Sequence, residues 1–257
     1  MERDTSIHFR RYPNNYRPWV LSNEYSTTTS EKYTDIASAI NKQIYDLYLK
    51  GLIIILPTEV AKNVKDVHFS AIHWTAQHDK EQGRTLADPS AGSNPLNTPA
   101  AKEIVDRVCG MIEHPTIQVL MDMLIEYGEE VGSFDDLVLW KRDLAGAFSL
   151  VDILPEHVSL CAYELTNNLT MFYHSGFFGH LELPAMFNII NMVSKLELRR
   201  KVSGRIEQYV DDYMAVSQSA QVSSDMNIVG CFVNELLGPT ALNIKKDRIG
   251  RQIDWIV

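Results

Sequence analysis

The chain has 257 residues, 45% hydrophobic and 22% charged, an ordinary globular composition with enough length for one large core or two smaller ones. Its longest apolar run, 52–56, is far too short to cross a bilayer, the N-terminus has no apolar signal-peptide core, and three widely spaced cysteines make neither a disulfide framework nor a zinc knuckle. The formal net charge of −9 argues against a simple basic nucleic-acid binder, so any such role must rest on Arg10-Arg11, on 195–201 or on 245–251. A cytoplasmic or nuclear product without a membrane partner is expected.

Residues 1–30 read as a polar arm. Over 31–49, Tyr33, Ile36, Ile40, Ile44 and Leu47 recur at helical spacing, and Gly51 is placed to end that helix. Residues 67–76 read as a strand, followed by a polar loop over 78–84 and a Ser/Asn/Pro-rich segment over 88–99. An amphipathic helix follows at 117–127, then an apolar strand at 137–144 into which Lys141, Arg142 and Asp143 intrude. The stretches 158–165 and 169–173 resemble an antiparallel pair, and 184–198 is again helical. The pattern around Ile206, Tyr209, Val210, Tyr213 and Val216 predicts a strand, a tight acidic turn and a strand. Hairpins are more evident than β-α-β alternation, which points to an α+β fold.

That last hairpin carries Asp211 and Asp212 at its crest. Adjacent carboxylates repel unless a positive charge sits beside them. A hard divalent cation such as Mg²⁺ meets this need with oxygen ligands, although an ordinary exposed turn also carries such pairs. Asp143 closes an apolar strand, where a charge is costly unless exposed, bound or capping a helix. His68, His73 and His78 recur every fifth residue, a spacing that matches neither a helix face nor a strand face.

Taken together, several segments resemble the ordered motifs of reverse transcriptases. Asp143-Leu144-Ala145-Gly146-Ala147-Phe148 resembles the first catalytic motif, and Phe178-Gly179 with Pro184-Ala185-Met186-Phe187 the second. Tyr209-Val210-Asp211-Asp212 is similar to the active-site hairpin, and Leu242-Asn243-Ile244-Lys245-Lys246 to the Asn-x-x-Lys motif. Upstream, Gly83-Arg84-Thr85-Leu86-Ala87-Asp88, closing with Pro95-Leu96-Asn97, resembles the fingers segment. The resemblance, to a retrotransposon reverse-transcriptase domain, covers about residues 70–255.

It implies an α+β, right-hand polymerase-like fold of fingers and palm, with an antiparallel palm sheet packed on helices and no thumb. Residues 1–50 would form an N-terminal arm and helix, 51–139 the fingers with 152–182 returning to them, and 140–151 with 183–257 the palm. The implied reaction is template-directed DNA synthesis with two metal ions, Mg²⁺ or in its place Mn²⁺. Asp143 and Asp211 would bridge the metals, Asp212 would support them, and Lys246 would protonate or neutralise the pyrophosphate. Arg84 would meet the β- and γ-phosphates, because a guanidinium donates bidentately to phosphate oxygens. The backbone of Leu144 and Ala145 would approach the triphosphate, and Phe148 would exclude a 2′-hydroxyl. Phe178, Gly179 and Pro184 would floor the nucleotide. Implied partners are primer-template nucleic acid and deoxynucleoside triphosphates, within a larger polyprotein holding thumb, ribonuclease H or integrase segments.

Departures accompany the likeness. Glu182 and Leu183 precede Pro184, the expected fingers lysine has only Lys80 as a substitute, and the chain stops where a primer-gripping hairpin should begin. A catalytically inactive or adapted fragment that only binds nucleic acid or a protein partner is the rival reading. A two-metal nuclease is a third, which would need neither Arg84 nor Phe148.

Overall fold

The computed structural model of the chain describes residues 6–7, 36–77, 80–91, 94–110, 112, 114–165 and 168–253. Most of the expected arm, Arg10-Arg11 and His78 lie outside the described residues. In chain order the elements are β1 (Ser6–Ile7), α1 (Ile36–Leu49), β2 (Ile53–Pro57), the one-turn α2 (Thr58–Ala61), β3 (Ala71–Gln77), β4 (Lys80–Asp88), α3 (Pro99–Cys109), α4 (Ile117–Val131) and β5 (Leu137–Asp143). Two 3₁₀ turns (Ala147–Leu150, Pro155–Leu160) lead to β6 (Ala162–Glu164), β7 (Leu169–Tyr173), α5 (Leu183–Lys201), β8 (Arg205–Tyr209), β9 (Asp212–Gln218) and α6 (Val222–Leu237). A last 3₁₀ turn (Ile244–Lys246) precedes β10 (Arg248–Gly250). No helix among the described residues is long and apolar enough to cross a membrane.

The chain divides into two compact units, Met1–Ile104 with Val151–Leu183, and Val105–Leu150 with Pro184–Val257. Residues 105–139 lie in the second, where α4 packs on the sheet that contains β8 and β9.

The first unit holds two three-stranded antiparallel sheets, β1-β3-β4 and β2-β7-β6. Helix α1 stops at Gly51, whose φ of 66° lets its N–H reach Tyr48 and the next N–H, of Leu52, reach Leu47. Ile40 and Ile44 of α1 pack with Ile53, Tyr163, Met171, Tyr173 and Phe177 in its main core. One expectation fails here. The expected polar loop is strand from Lys80 on: 80–84 belongs to β4, paired along β3 with a register shift between Thr75 and Gln77. Backbone pairing satisfies such a strand without an apolar face, so composition alone misreads it. Likewise 158–160 closes a 3₁₀ turn rather than opening β6.

The second unit is built on a four-stranded antiparallel sheet ordered β10-β5-β9-β8. Thr116 caps α4 by accepting a hydrogen bond from the Val119 N–H, and Gly132 ends it at φ 72°. Leu120, Met123 and Tyr127 of α4 pack on Leu137, Met214 and Val216 of the sheet. On the other side, buried Asp225 of α6 accepts from the N–H groups of Ser203 and Gly204 and from the Ser217 hydroxyl, which also accepts from the Trp140 indole. The sequence reading contains neither α3, α6 nor β10. Helix α3 buries only Val105, α6 buries a narrow stripe that includes Asp225 and Gly230, and β10 is three residues long. Helix α6 nonetheless carries Val222, Met226, Val229 and Val233 at helical spacing, a signal the sequence reading passed over.

Candidate active site

Alternation along paired strands sorts this sheet's residues by face. In the β5–β9 register, Leu139 opposes Val216, Lys141 opposes Met214 and Asp143 opposes Asp212. Every second residue shares a face, so Leu137, Leu139, Lys141 and Asp143 lie on the same side as Asp212, Met214 and Val216. The apolar end of that face lies under α4. The other end is ionic. A one-residue slip of β5 would turn Leu137 and Leu139 away from α4 and bring Val138, Trp140 and Arg142 to it, so the apolar contacts lock Asp143 opposite Asp212.

Both carboxylates are buried, and each is held by an ammonium. Lys246 Nζ lies 2.7 Å from Asp143 Oδ1, and Lys141 Nζ lies 2.8 Å from Asp212 Oδ2. The Lys246 side chain is 58% exposed, whereas that of Lys141 is only 13% exposed. Burial raises the pKa of Asp212 above the usual carboxylate value; Lys141 opposes this and the charges of Asp211 and Asp143 add to it. The hydrogen bond to Asp143 raises that of Lys246, against partial burial. Asp212 Oδ1 is buried with no hydrogen-bond partner, an acceptor with a lone pair to spare. Among the described residues, no group of three or more His, Cys, Asp or Glu side chains is arranged to hold a metal ion.

The turn between β8 and β9 consists of Val210 and half-buried Asp211. Val210 has φ 47°, a left-handed conformation that costs a β-branched residue of order 1–3 kcal/mol. Helix α5 supports it: Asn191 donates to the Val210 carbonyl at 2.9 Å and accepts from Gln208 Nε2 at 2.7 Å. The Tyr209 ring lies against His114, with centroids 4.6 Å apart.

The segment after β5 is tied down by its backbone. Leu144 N–H donates to the Asp211 carbonyl and Ala145 N–H to that of Ala241, each at 2.7 Å, so both of these donors are engaged within the protein rather than presented to a phosphate. Asn243 N–H donates to the Asp143 carbonyl, which brings the turn bearing Lys246 alongside β5. Buried Arg142, on the opposite face of β5, donates to Asp247 Oδ2 from Nε and Nη2 and to the Met226 carbonyl from Nη1. That guanidinium lies against Gly230, where a Cβ would meet Nη1 at 2.7 Å. Phe148 is half-buried and packs edge-on against Phe187, 6.0 Å between centroids, and Pro184 is exposed in the first turn of α5.

In the first unit, Arg84 stacks over the exposed Phe178 ring at 4.6 Å. Gly179 has φ 106° and faces the Ala87 carbonyl so closely that a Cβ would lie 2.1 Å from its oxygen. Asn97 clamps this turn, donating to the Gly179 carbonyl at 2.6 Å and accepting from the Leu181 N–H at 3.1 Å. Arg84, Phe178 and Gly179 therefore meet, although 94 residues separate Arg84 from Phe178. Of the basic segment 195–201, Lys195 and Arg199 pair with buried Glu207, Arg200 pairs with Glu197, and Lys201 lies over the Phe232 ring. Much of its charge is thus engaged within the protein.

Asn191 and Gln208 escaped the sequence reading, which named Lys141 and Asn97 without giving either its contact here. Lys141 alone had a local signal, since a residue two before Asp143 on a strand must share its face.

No protein-family model and no curated protein matches the sequence. Among solved structures, the chain is similar to a foamy viral protease-reverse transcriptase in complex with double-stranded DNA. That match has 14% identity and a TM-score of 0.54, covering 98% of this chain and 36% of the other. Prototype Foamy Virus protease-reverse transcriptase, in a CSH mutant form, matches with 15% identity and a TM-score of 0.50, covering 82% of this chain and 24% of the other. The chain spans little more than a third of the length of the first and about a quarter of the second. These likenesses support a reverse-transcriptase-like fold, mixed α/β with antiparallel sheets, and do not extend to the retrotransposon lineage.

Proposed function

We propose that this chain is the fingers and palm of a retroelement reverse transcriptase, one that extends a primer on a nucleic-acid template by nucleotidyl transfer from deoxynucleoside triphosphates. The observation that carries the reading is the opposition of Asp143 and Asp212 on adjacent strands, with Asp211 in the turn beside them. The residues suit Mg²⁺ or Mn²⁺. Their donors are hard carboxylate oxygens, and Asp212 Oδ1 is buried without a partner. On this reading Asp143, Asp211 and Asp212 would hold the metal, which when bound supplies charge stabilisation to the attacking and leaving oxygens.

The protein's own contributions follow from its side chains. Lys246, mostly exposed and held at Asp143 Oδ1, carries a cation and a proton that can swing toward a departing pyrophosphate. Arg84 is the fork-shaped donor for triphosphate oxygens, with Phe178 stacked beneath it. Phe148, braced by Phe187, is the ring that would crowd a 2′-hydroxyl. The template and primer, like the remainder of a larger polyprotein, belong to the same reading, which the foamy viral neighbour in complex with double-stranded DNA supports by fold alone.

Primer extension tests it. Asp143→Asn and Asp211→Asn should each abolish Mg²⁺-dependent extension by the full chain, and undiminished extension by either would remove that residue from the mechanism.

One observation favours the rival reading, an adapted fragment that binds nucleic acid or a protein without catalysis: ammonium groups hold both buried carboxylates. Calorimetry with Mg²⁺ and a deoxynucleoside triphosphate separates the two, since the rival predicts no metal-dependent nucleotide binding.

A further inference from the structure

Lys141 is the residue at this site whose role the polymerase motifs leave unexplained. It stands two residues before Asp143 and opposite Met214, on the face that bears Asp143 and Asp212. Its ammonium reaches diagonally to Asp212 Oδ2 at 2.8 Å. Two ammonium groups thus face three carboxylates here, but they differ in freedom. The Lys246 side chain is 58% exposed and can leave Asp143 for water at little cost. The Lys141 side chain is 13% exposed, its stem enclosed on a sheet face that α4 covers further along. Moving it would strip a covered side chain from its packing and leave Asp212 unpaired among like charges.

We propose that Lys141 is a tethered cationic competitor for the divalent metal, and that it makes the affinity of this site for metal alone lower than its carboxylates would otherwise provide. The proposal rests on the reading of Asp143, Asp211 and Asp212 as metal ligands and deepens it. Asp212 can offer only Oδ1 while Oδ2 is held by Lys141. A dication held by these carboxylates would share with Lys141 a partly water-excluded site, where repulsion is screened poorly. Lys246 exerts no comparable brake, because it can withdraw. Lys141 therefore sets how much metal the site requires, through charge and packing rather than by donating to substrate.

The test is calorimetric titration of the full chain with Mn²⁺ alone, using the wild type, Lys141→Met, which keeps the stem and removes the charge, and Lys141→Arg, which keeps the charge. Lys141→Gln serves as a second neutral variant if the methionine protein does not fold. The neutral variant should bind Mn²⁺ at least about tenfold more tightly than the wild type, the size of one charge–charge contact near a protein surface, and Lys141→Arg should stay near the wild type. Adding Asp143→Asn to the neutral variant should remove the gain, which locates the ion at these carboxylates. Equal or weaker binding by the neutral variant overturns the competitor role and leaves the metal-ligand reading standing. No binding by any of the proteins overturns both.

Discussion

Asn191 donates its side-chain amide to the carbonyl of Val210 at 2.9 Å, so a helix that begins in the second motif holds the turn that carries Asp211. The bond is buried on the helix side, and Gln208 completes it by donating to Asn191. This pair keeps a β-branched residue at a positive φ that it would otherwise leave.

The turn's strain can be read by substitution. Val210→Gly should raise the unfolding free energy by up to about 1 kcal/mol, since relief of the left-handed penalty exceeds the entropy glycine loses on folding. Asn191→Leu should do the opposite, costing about 1–3 kcal/mol by leaving the buried Gln208 amide and the Val210 carbonyl only their own long contact of 3.5 Å. Denaturant unfolding measures both. A stabilised Asn191→Leu protein would contradict the role given to this bond.

The raised pKa of Asp212 has a definite sign. Its neutral form is favoured by the folded state, so its contribution to stability is present below the ordinary carboxylate value and is lost as pH rises through the folded-state value. At neutral pH, without metal, the ionised side chain is a burden. Asp212→Asn also strands the enclosed Lys141 ammonium, so the sign fixes the trend: the melting temperature of the variant relative to the wild type should rise from strong acid to pH 7. Melting curves across the range from pH 3 to 7 check this, and a relative melting temperature that rises on acidification would refute it.

Gly179 has no tolerated replacement of larger size. With φ at 106° and the Ala87 carbonyl where a Cβ would go, Gly179→Ala combines a strained backbone with a direct clash. The expected loss is about 2–4 kcal/mol, from strain of 1–3 and overpacking of 1–3 that partly relieve each other. Asn97→Ala, which only frees the clamp, should cost less, about 1–2 kcal/mol. Comparable losses for the two would mean that the close approach is not what requires glycine.

Local elements were readable where one physical signal dominates. The apolar period of α4, the Gly51 stop after α1 and the acidic hairpin all depend on residues a few positions apart. The polar strand β4 was misread because pairing with β3, not its own side chains, makes it a strand. Leu144 and Ala145 were read as phosphate contacts because small residues following an acid suggest an open backbone. Their N–H groups instead close the junction with Asp211 and Ala241, partners remote in the chain.

The amino-acid order by itself determined which charges the protein owns and which segments could be strands, because alternation and turn chemistry act within a few residues. It thereby determined that Asp143 ends one strand and that Asp211 and Asp212 crest another. Only the tertiary structure decided that these strands are neighbours, in the register that sets Asp143 opposite Asp212 and lets Lys141 reach across 71 residues of sequence to hold it. That register follows from burying Leu137, Met214 and Val216 beneath α4, since a shift of one residue would turn Leu137 and Asp143 together to the other face of the sheet.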